Sequence, residues 1–375
     1  MRSACRGRIQ GAYMGQNLEL YWEWLCSISG LYRTQQEILL RCFGSAQGVY
    51  CASQAELSHL QKRGCAFVKK VLEFRAAGSP EEIAHRNREK GILFRSCRHR
   101  EYPQKLLELE DRPYGIFYRG RLPDGQKKSV AIVGARLCTY RGKELAEQLA
   151  EEIAHAGGAV VSGAAYGIDG AAQWAALEAG GESFAVLGCG VDVCYPASHQ
   201  LLLERLVKSG GVLSELAPGT RPLRMHFPAR NRIISGLSDV VAVIEARKKS
   251  GSLITAGFAA AQGRTVFSVP GRPQDELSEG CNELIAQGAN VLLSVETFMD
   301  TNFSGYKKKR NKLSEDFALA PAEKLVYSSL GLQSRSLWEL EACTALSLAE
   351  LGDALLALEM KGLAKETQRN YYVRV

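Results

Sequence analysis

No apolar run in the 375 residues approaches the roughly 18 to 20 positions needed to cross a bilayer, and charges interrupt every candidate. Membrane insertion is therefore not expected. Residues 1–16 carry Arg2, Arg6 and Arg8 but lack a following apolar core of signal-peptide length, so they are expected to form a disordered end rather than a targeting segment. Paired short cysteine spacings are missing too. Eleven cysteines are spread along the chain, Cys189 and Cys194 do not form a C-x-x-C pair, and histidines do not accompany them, so neither zinc nor a disulfide framework is supported. They are expected to be reduced, mostly buried side chains of a cytoplasmic protein. The 37 glycines follow no three-residue period and the 11 prolines are scattered, which excludes collagen and low-complexity repeats.

What is present is an ordinary globular composition, 46% apolar and 23% charged, of a size for two or three domains. The formal charge of +7 is uneven. Residues 1–129 hold 22 basic against 13 acidic side chains, whereas residues 130–300 hold 14 against 18. Yet Leu216 to Ser238, inside that acidic middle, contains Arg221, Arg224, Arg230 and Arg232 and no carboxylate. Screening confines exposed charges to roughly 8 Å at physiological salt, so this local cluster matters more than the total. It is attractive to a polyanion.

Hydrophobic periodicity divides the chain. Residues 17–80 have a helical pattern punctuated by Gly30, Gly44 and Gly78, which predicts a small helical domain. Ile92 to Arg119 holds short apolar pieces, including the strand-like Gly115 to Tyr118, leading into a core. From Ser129, short β-branched runs alternate with helical stretches: Val130–Val133, Ala159–Ser162, Ser183–Leu187, Val212–Ser214, Val240–Ile244, Thr265–Val269 and Val291–Leu293. Nearly continuous apolar strands imply burial on both faces, so residues 81–300 are expected to form a Rossmann-like, doubly wound parallel sheet of the α/β class. Residues 301–317, with Lys307 to Arg310, read as a basic linker. Three short amphipathic helices and a strand-turn-strand segment over 318–375 make a winged-helix pattern.

The candidate chemistry gathers at strand ends. The first strand runs into Gly134-Ala135-Arg136, where a glycine lets backbone amides and a helix N-terminus approach an anion. The fingerprint G-x-G-x-x-G is absent there and no acid stands where a ribose would be gripped, which argues against nicotinamide chemistry. No cofactor, metal or catalytic residue is expected. The second strand ends in Ser162-Gly163, followed by Gly167-Ile168-Asp169, with Asp169 reading as a helix cap. The third ends in Gly188-Cys189-Gly190, with Tyr195-Pro196 beyond. Three such turns are expected to build a phosphate-tolerant crevice. In Phe227 to Ser238, Phe227 beside guanidinium groups offers a stacking face for single-stranded nucleic acid, or else a core side chain. Arg232 can pair with a core carboxylate such as Glu245, while Arg224 and Arg230 have no nearby partner in sequence, which favours solvent or ligand. Ser250-Gly251-Ser252 feeds a further helix whose amides suit an anion and whose hydroxyls suit either capping or a ligand.

These segments together resemble the DNA-processing protein family DprA, also called Smf, over roughly Leu18 to Val375. The motifs that carry the resemblance are VGAR at 133–136, SGAAYGID at 162–169, FPARNRIISGLS at 227–238 and SGSLITA at 250–256. The resemblance implies a sterile-alpha-motif-like helical domain, an extended Rossmann core and a C-terminal winged-helix domain. It implies a non-enzymatic dimer that binds single-stranded DNA and loads the RecA recombinase during natural transformation, with a single-stranded DNA-binding protein as a further partner. It maps the DNA pocket onto Arg136, Arg224, Phe227, Arg230, Asn231, Ser162 and Gly163. The family's first turn is usually Gly-Ser-Arg, and Ala135 here lacks that hydroxyl. The alternative is a lysine-decarboxylase-like nucleoside monophosphate phosphoribohydrolase. Those enzymes need a Pro-Gly-Gly-x-Gly-Thr turn closely followed by a Glu, and Lys249 to Thr255 supplies none. A winged-helix transcription regulator fits poorly as well, because Glu350, Asp353 and Glu359 crowd the recognition-helix position and would repel duplex phosphates.

Overall fold

A computed structural model describes residues 13–62, 65–303, 319–331 and 334–374. Two compact units, Met1–Tyr306 and Lys307–Val375, divide the chain. The N-terminal helices thus belong to the same unit as the central sheet.

The sheet strands are β1 (Leu93–Ser96), β2 (Gly115–Gly120), β3 (Ser129–Val133), β4 (Ala159–Ser162), β5 (Glu182–Val186), β6 (Gly210–Ser214), β7 (Val240–Val243), β8 (Thr265–Ser268) and β9 (Asn290–Val291). Their spatial order is β1-β2-β6-β5-β4-β3-β7-β8-β9. From β6 to β9 every neighbour pair is parallel, whereas β1–β2 and β2–β6 are antiparallel, so the sheet is mixed rather than wholly parallel. The chain reaches that antiparallel end through the short, Pro-interrupted segment that the sequence left without an orientation.

Alternation along β3 shows why the inner strands are apolar throughout. Val130 and Ile132 pack on one face with Ala146, Leu149 and Ile153 of helix Tyr140–His155. Ala131 and Val133 pack on the other with Ile233, Ile234 and Leu237 from helix His226–Gly236 and its C-cap. Each fully buried Val, Leu or Ile side chain here contributes about 1.5–3 kcal/mol, so the two-sided strands anchor the unit. The connections after β3, β4 and β5 run toward β6, and the chain then returns to place β7 on the other side of β3. That reversal makes the carboxyl end of β3 a topological switch point, where open α/β sheets leave a crevice. The first unit opens with helices from Tyr13–Cys26 to Pro80–Glu89, packed around Trp24, Leu25, Leu39, Val49 and Leu57.

Several expectations change. Tyr13 to Gln16, read as part of a disordered end, begin the first helix, and residues 1–12 lie outside the described residues. Thr301 and Asn302 complete helix Val295–Asn302 rather than opening a linker, because Ser294 caps that helix and Phe298 and Met299 bury it. The run Lys307 to Arg310 lies outside the described residues. The strand expected over Val291–Leu293 shrinks to Asn290–Val291 at the sheet margin, and Leu293 is exposed. The cysteines are not mostly buried: Cys26, Cys189 and Cys281 are, but Cys42, Cys51, Cys194 and Cys343 are exposed. No disulfide occurs among the described residues. No described helix is long and apolar enough to cross a membrane.

The second unit contains helices Pro321–Ser329, Leu337–Thr344 and Leu348–Met360, then β11 (Ala364–Gln368) and β12 (Tyr371–Arg374). A two-residue strand, β10 (Arg335–Ser336), pairs with β12 and completes a small sheet of order β10-β12-β11. Ser336 and Ser347 each form a capping box with the Glu three residues on, which explains two of the three helix starts.

Candidate functional site

Three strand-end turns and one helix meet at the switch point. Arg136 follows β3, Gly163 to Tyr166 follow β4, Leu187 to Cys189 follow β5, and Phe227 and Arg230 come from the helix that crosses to β7. Together with Tyr195 and Pro196 they line one shallow, open cleft.

Phe227 sits at its centre. The guanidinium carbon of Arg136 lies 5.6 Å from the Phe227 ring centroid, that of Arg230 6.0 Å, and the Tyr195 ring centroid 5.5 Å. Two glycines make this possible. A Cβ on Gly188 would come within 2.8 Å of the Phe227 ring, and one on Gly163 within 2.2 Å of the Arg230 guanidinium. Phe227 is half-buried and Arg136 exposed, so a stacking face and a charge are both presented to solvent.

Arg230 differs from its expected role as a surface fork. It is buried, its Nη1 donates to the Val186 carbonyl, and its Nε has no hydrogen-bond partner among the described residues. Burial lowers its pKa to about 10, against the pull of Asp169, which leaves it charged at neutral pH. Asp169 is not the helix cap the sequence suggested. Its carboxylate is buried and accepts from the Gly163 amide at 3.1 Å. Burial pushes its pKa up, opposed by Arg230 and by hydrogen bonds from the Gly163 and Gly134 amides. The acid whose charge acts on Arg230 was not legible in the sequence because it lies 61 positions earlier.

The expected rim of available amides is likewise not formed at these turns. The Gly163 amide goes to Asp169, that of Ala164 to Gln173 at 3.0 Å, and that of Gly190 to the Thr220 carbonyl at 2.9 Å. Ser162 is fully buried and its hydroxyl donates to the Ile132 carbonyl at 2.7 Å, so it holds β4 against β3 instead of facing a ligand. Gly134 is a packing glycine: a Cβ there would meet Ile168 at 2.7 Å. Asn231 is buried too, and its Nδ2 donates to the Gly251 carbonyl at 3.1 Å. It thereby ties helix His226–Gly236 to the start of helix Gly251–Ala261. There Ser250 is the N-cap, accepting from the Ser252 amide at 3.3 Å and bonding the Ser252 hydroxyl at 2.7 Å. The hydroxyls therefore cap, the structural option of the two. Arg224 is exposed in the turn before Phe227. Arg232 pairs with Asp111 at 2.8 Å and Glu215 at 2.5 Å rather than with Glu245. Glu245 instead accepts from the Thr139 amide and hydroxyl, at 2.9 and 2.5 Å.

Sequence reasoning missed the aromatic company of Phe227. Tyr195 is 40% and Tyr166 50% exposed, so both offer ring faces at the cleft. Tyr166 packs edge-on to His199, and Ser198 donates to its hydroxyl at 3.1 Å. The available signal was an aromatic inside, or just after, a glycine-rich strand-end turn. Among the described residues no cluster of side chains could hold a metal.

Comparison with known proteins gives a consistent set of similarities. The profile of the family described as DNA recombination-mediator protein A matches residues 94–302. Protein Smf of Synechocystis is 30% identical over 96% of this chain and 100% of its own length. DNA processing protein DprA of Streptococcus pneumoniae is 45% identical over 52% of this chain and 68% of its own. The X-ray structure of that pneumococcal protein superposes with a TM-score of 0.63 at 35% identity, covering 76% of this chain and 99% of the other. A Helicobacter pylori DNA processing protein A, described for its single-stranded DNA binding mode, superposes with a TM-score of 0.51 at 30% identity, covering 57% and 97%.

Proposed function

The chain belongs to the DNA recombination-mediator protein A family, the DprA or Smf proteins, and we propose that it binds single-stranded DNA in the cleft centred on Phe227. The observation that carries the reading is the exposed Arg136 guanidinium over a half-buried Phe227 ring flanked by Tyr195. An unpaired base stacks on an aromatic face without regard to sequence, while a guanidinium beside it takes the phosphate. Arg230 supplies a fixed positive charge beneath the ring, and Arg224 extends the cationic rim. Gly163 lines the cleft against Arg230, while Ser162, Gly134, Asn231 and Ser250 to Ser252 hold the turns in register.

Non-enzymatic action is part of the proposal. Asp169 is engaged by Gly163 and Glu245 by Thr139, so neither carboxylate is offered to a ribosyl bond. Family membership supports the further steps: a homodimer that protects incoming strands and loads RecA during natural transformation, with a single-stranded DNA-binding protein as a second partner. The C-terminal helices and three-stranded sheet are read as a winged-helix domain. Its helix Leu348–Met360 carries Glu350, Asp353 and Glu359, which makes a protein partner a better match than a duplex.

The test is a gel-shift titration of the full chain with single- and double-stranded oligonucleotides, beside the Arg136→Ala variant. Preference for the single strand and weakened binding by the variant are expected. Unchanged affinity in the variant would remove the cleft from the account. Incubation with nucleoside monophosphates should release no free base, and sustained turnover would favour the hydrolase.

A further inference from the structure

β1 and β6 run in the same direction, because each is antiparallel to β2. The turn after β1, Cys97 to Glu101, and the residues entering β2, Arg112 to Tyr114, therefore lie on the sheet edge that carries the Phe227 cleft. Three strand spacings, about 14 Å, separate β1 from β5. On this stretch Arg98, Arg100 and Arg112 are exposed and line an open groove, with Trp22 and Tyr114 stacked in it at 5.8 Å and 22°. The open groove offers about 1380 Å³ of water-sized space, above the roughly 300–1,000 Å³ of a small-molecule pocket.

Its acids are already committed. Glu19 accepts from the Ser96 amide and hydroxyl at 2.6 Å, Glu23 from Asn87 at 2.8 Å, and Glu37 pairs with Arg33 and Arg41. None of Arg98, Arg100 and Arg112 forms an ion pair among the described residues. Between groove and cleft the Tyr32 hydroxyl meets His226 Nε2 at 3.4 Å, next in sequence to Phe227. Residues 1–12 of the chain would be a poor occupant, since they bring Arg2, Arg6 and Arg8 and no carboxylate.

We infer that this groove is a second phosphate-binding station, so that a long single strand seated at Phe227 continues past Tyr32 and is held by Arg98, Arg100 and Arg112. The inference rests on the Phe227 reading and extends it. An acidic polypeptide would also satisfy three guanidinium groups, but alignment with the cleft along one sheet edge favours the polynucleotide.

The experiment compares wild type with the triple variant Arg98→Ala/Arg100→Ala/Arg112→Ala by fluorescence anisotropy on dT6 and dT25. All three side chains are exposed, and a thermal melt checks the fold. Affinity for dT25 should fall about 10-fold and its log-log salt slope should flatten by about 2, at about 0.7 per contact, while dT6 binding stays as in wild type. Unchanged dT25 binding sinks the second station alone, and so does equal loss on both lengths. Loss by the variant of poly-glutamate binding, with dT25 intact, transfers the groove to an acidic polypeptide and also refutes the inference. Failure of wild type on both oligonucleotides would instead sink the Phe227 reading itself.

Discussion

Arg230 and Asp169 are the side chains whose roles the structure changes most. Both are buried, and folding disfavours the charge on each: the arginine's pKa falls to about 10 and the aspartate's rises. The signs follow. Keeping Arg230 charged costs stability at neutral pH, a cost relieved only as pH rises through about 10. The cost of Asp169 is relieved as pH falls toward the ordinary carboxylate range. Asp169→Asn/Arg230→Met is expected to depart from the sum of its single variants by about 0.5–3 kcal/mol, as read by urea denaturation. Additive losses would show that the two charges do not interact. Phe227→Ala should cost about 1–3 kcal/mol of oligo-dT affinity with little change in Tm, because the ring is half-buried. The sequence exposed Phe227 and Arg136 as candidates because an aromatic among arginines without acids is unusual. It hid the amide partners, since only the folded turns show that Asp169, Gln173 and Thr220 consume them.

At the level of elements, the seam between β3 and β7 sets the switch point on which the cleft depends. Asp239, just before β7, accepts from the Ser129 amide at 2.8 Å and from Lys105 at 2.7 Å. Burial pushes this carboxyl up, but Lys105 and Ser129 outweigh it and hold it below the usual range. A depressed carboxylate contributes stability above its unfolded pKa of about 3.9 and loses it as pH falls through the lower folded value. Asp239→Asn should therefore lower Tm at pH 7 and approach wild type as the pH is taken below about 4. A constant difference across that range would contradict the seam. The inner strands were legible because burial on both faces makes them continuously apolar. The edges were not. β1 is a four-residue strand containing Arg95, and β10 has two residues, both defined by pairing with β2 and β12 rather than by their own pattern.

For the whole molecule, what matters is which charges remain available. Arg230 is buried and Arg232 is paired, whereas Arg136 and Arg224 at the cleft and Arg98, Arg100 and Arg112 along the edge are exposed. A short strand should then show a log-log salt slope of about −1.4 and a long one about −3.5, from about −0.7 per contact. Composition and strand pattern were enough to read a two-sided α/β core. Strand order, the antiparallel margin and the joining of the helical segment to the core depend on contacts distant in sequence, such as Tyr32 with His226. The central claim is base stacking on Phe227 beside Arg136. It is tested most directly by anisotropy titration of dT6 against wild type and Phe227→Ala at about 50 and 200 mM salt, with a duplex of equal length as control. The account predicts that wild type prefers the single strand, that the variant loses about 5- to 150-fold in affinity, and that its salt slope is unchanged because no phosphate contact is removed. Equal binding by the two proteins, or a preference for the duplex, would contradict it.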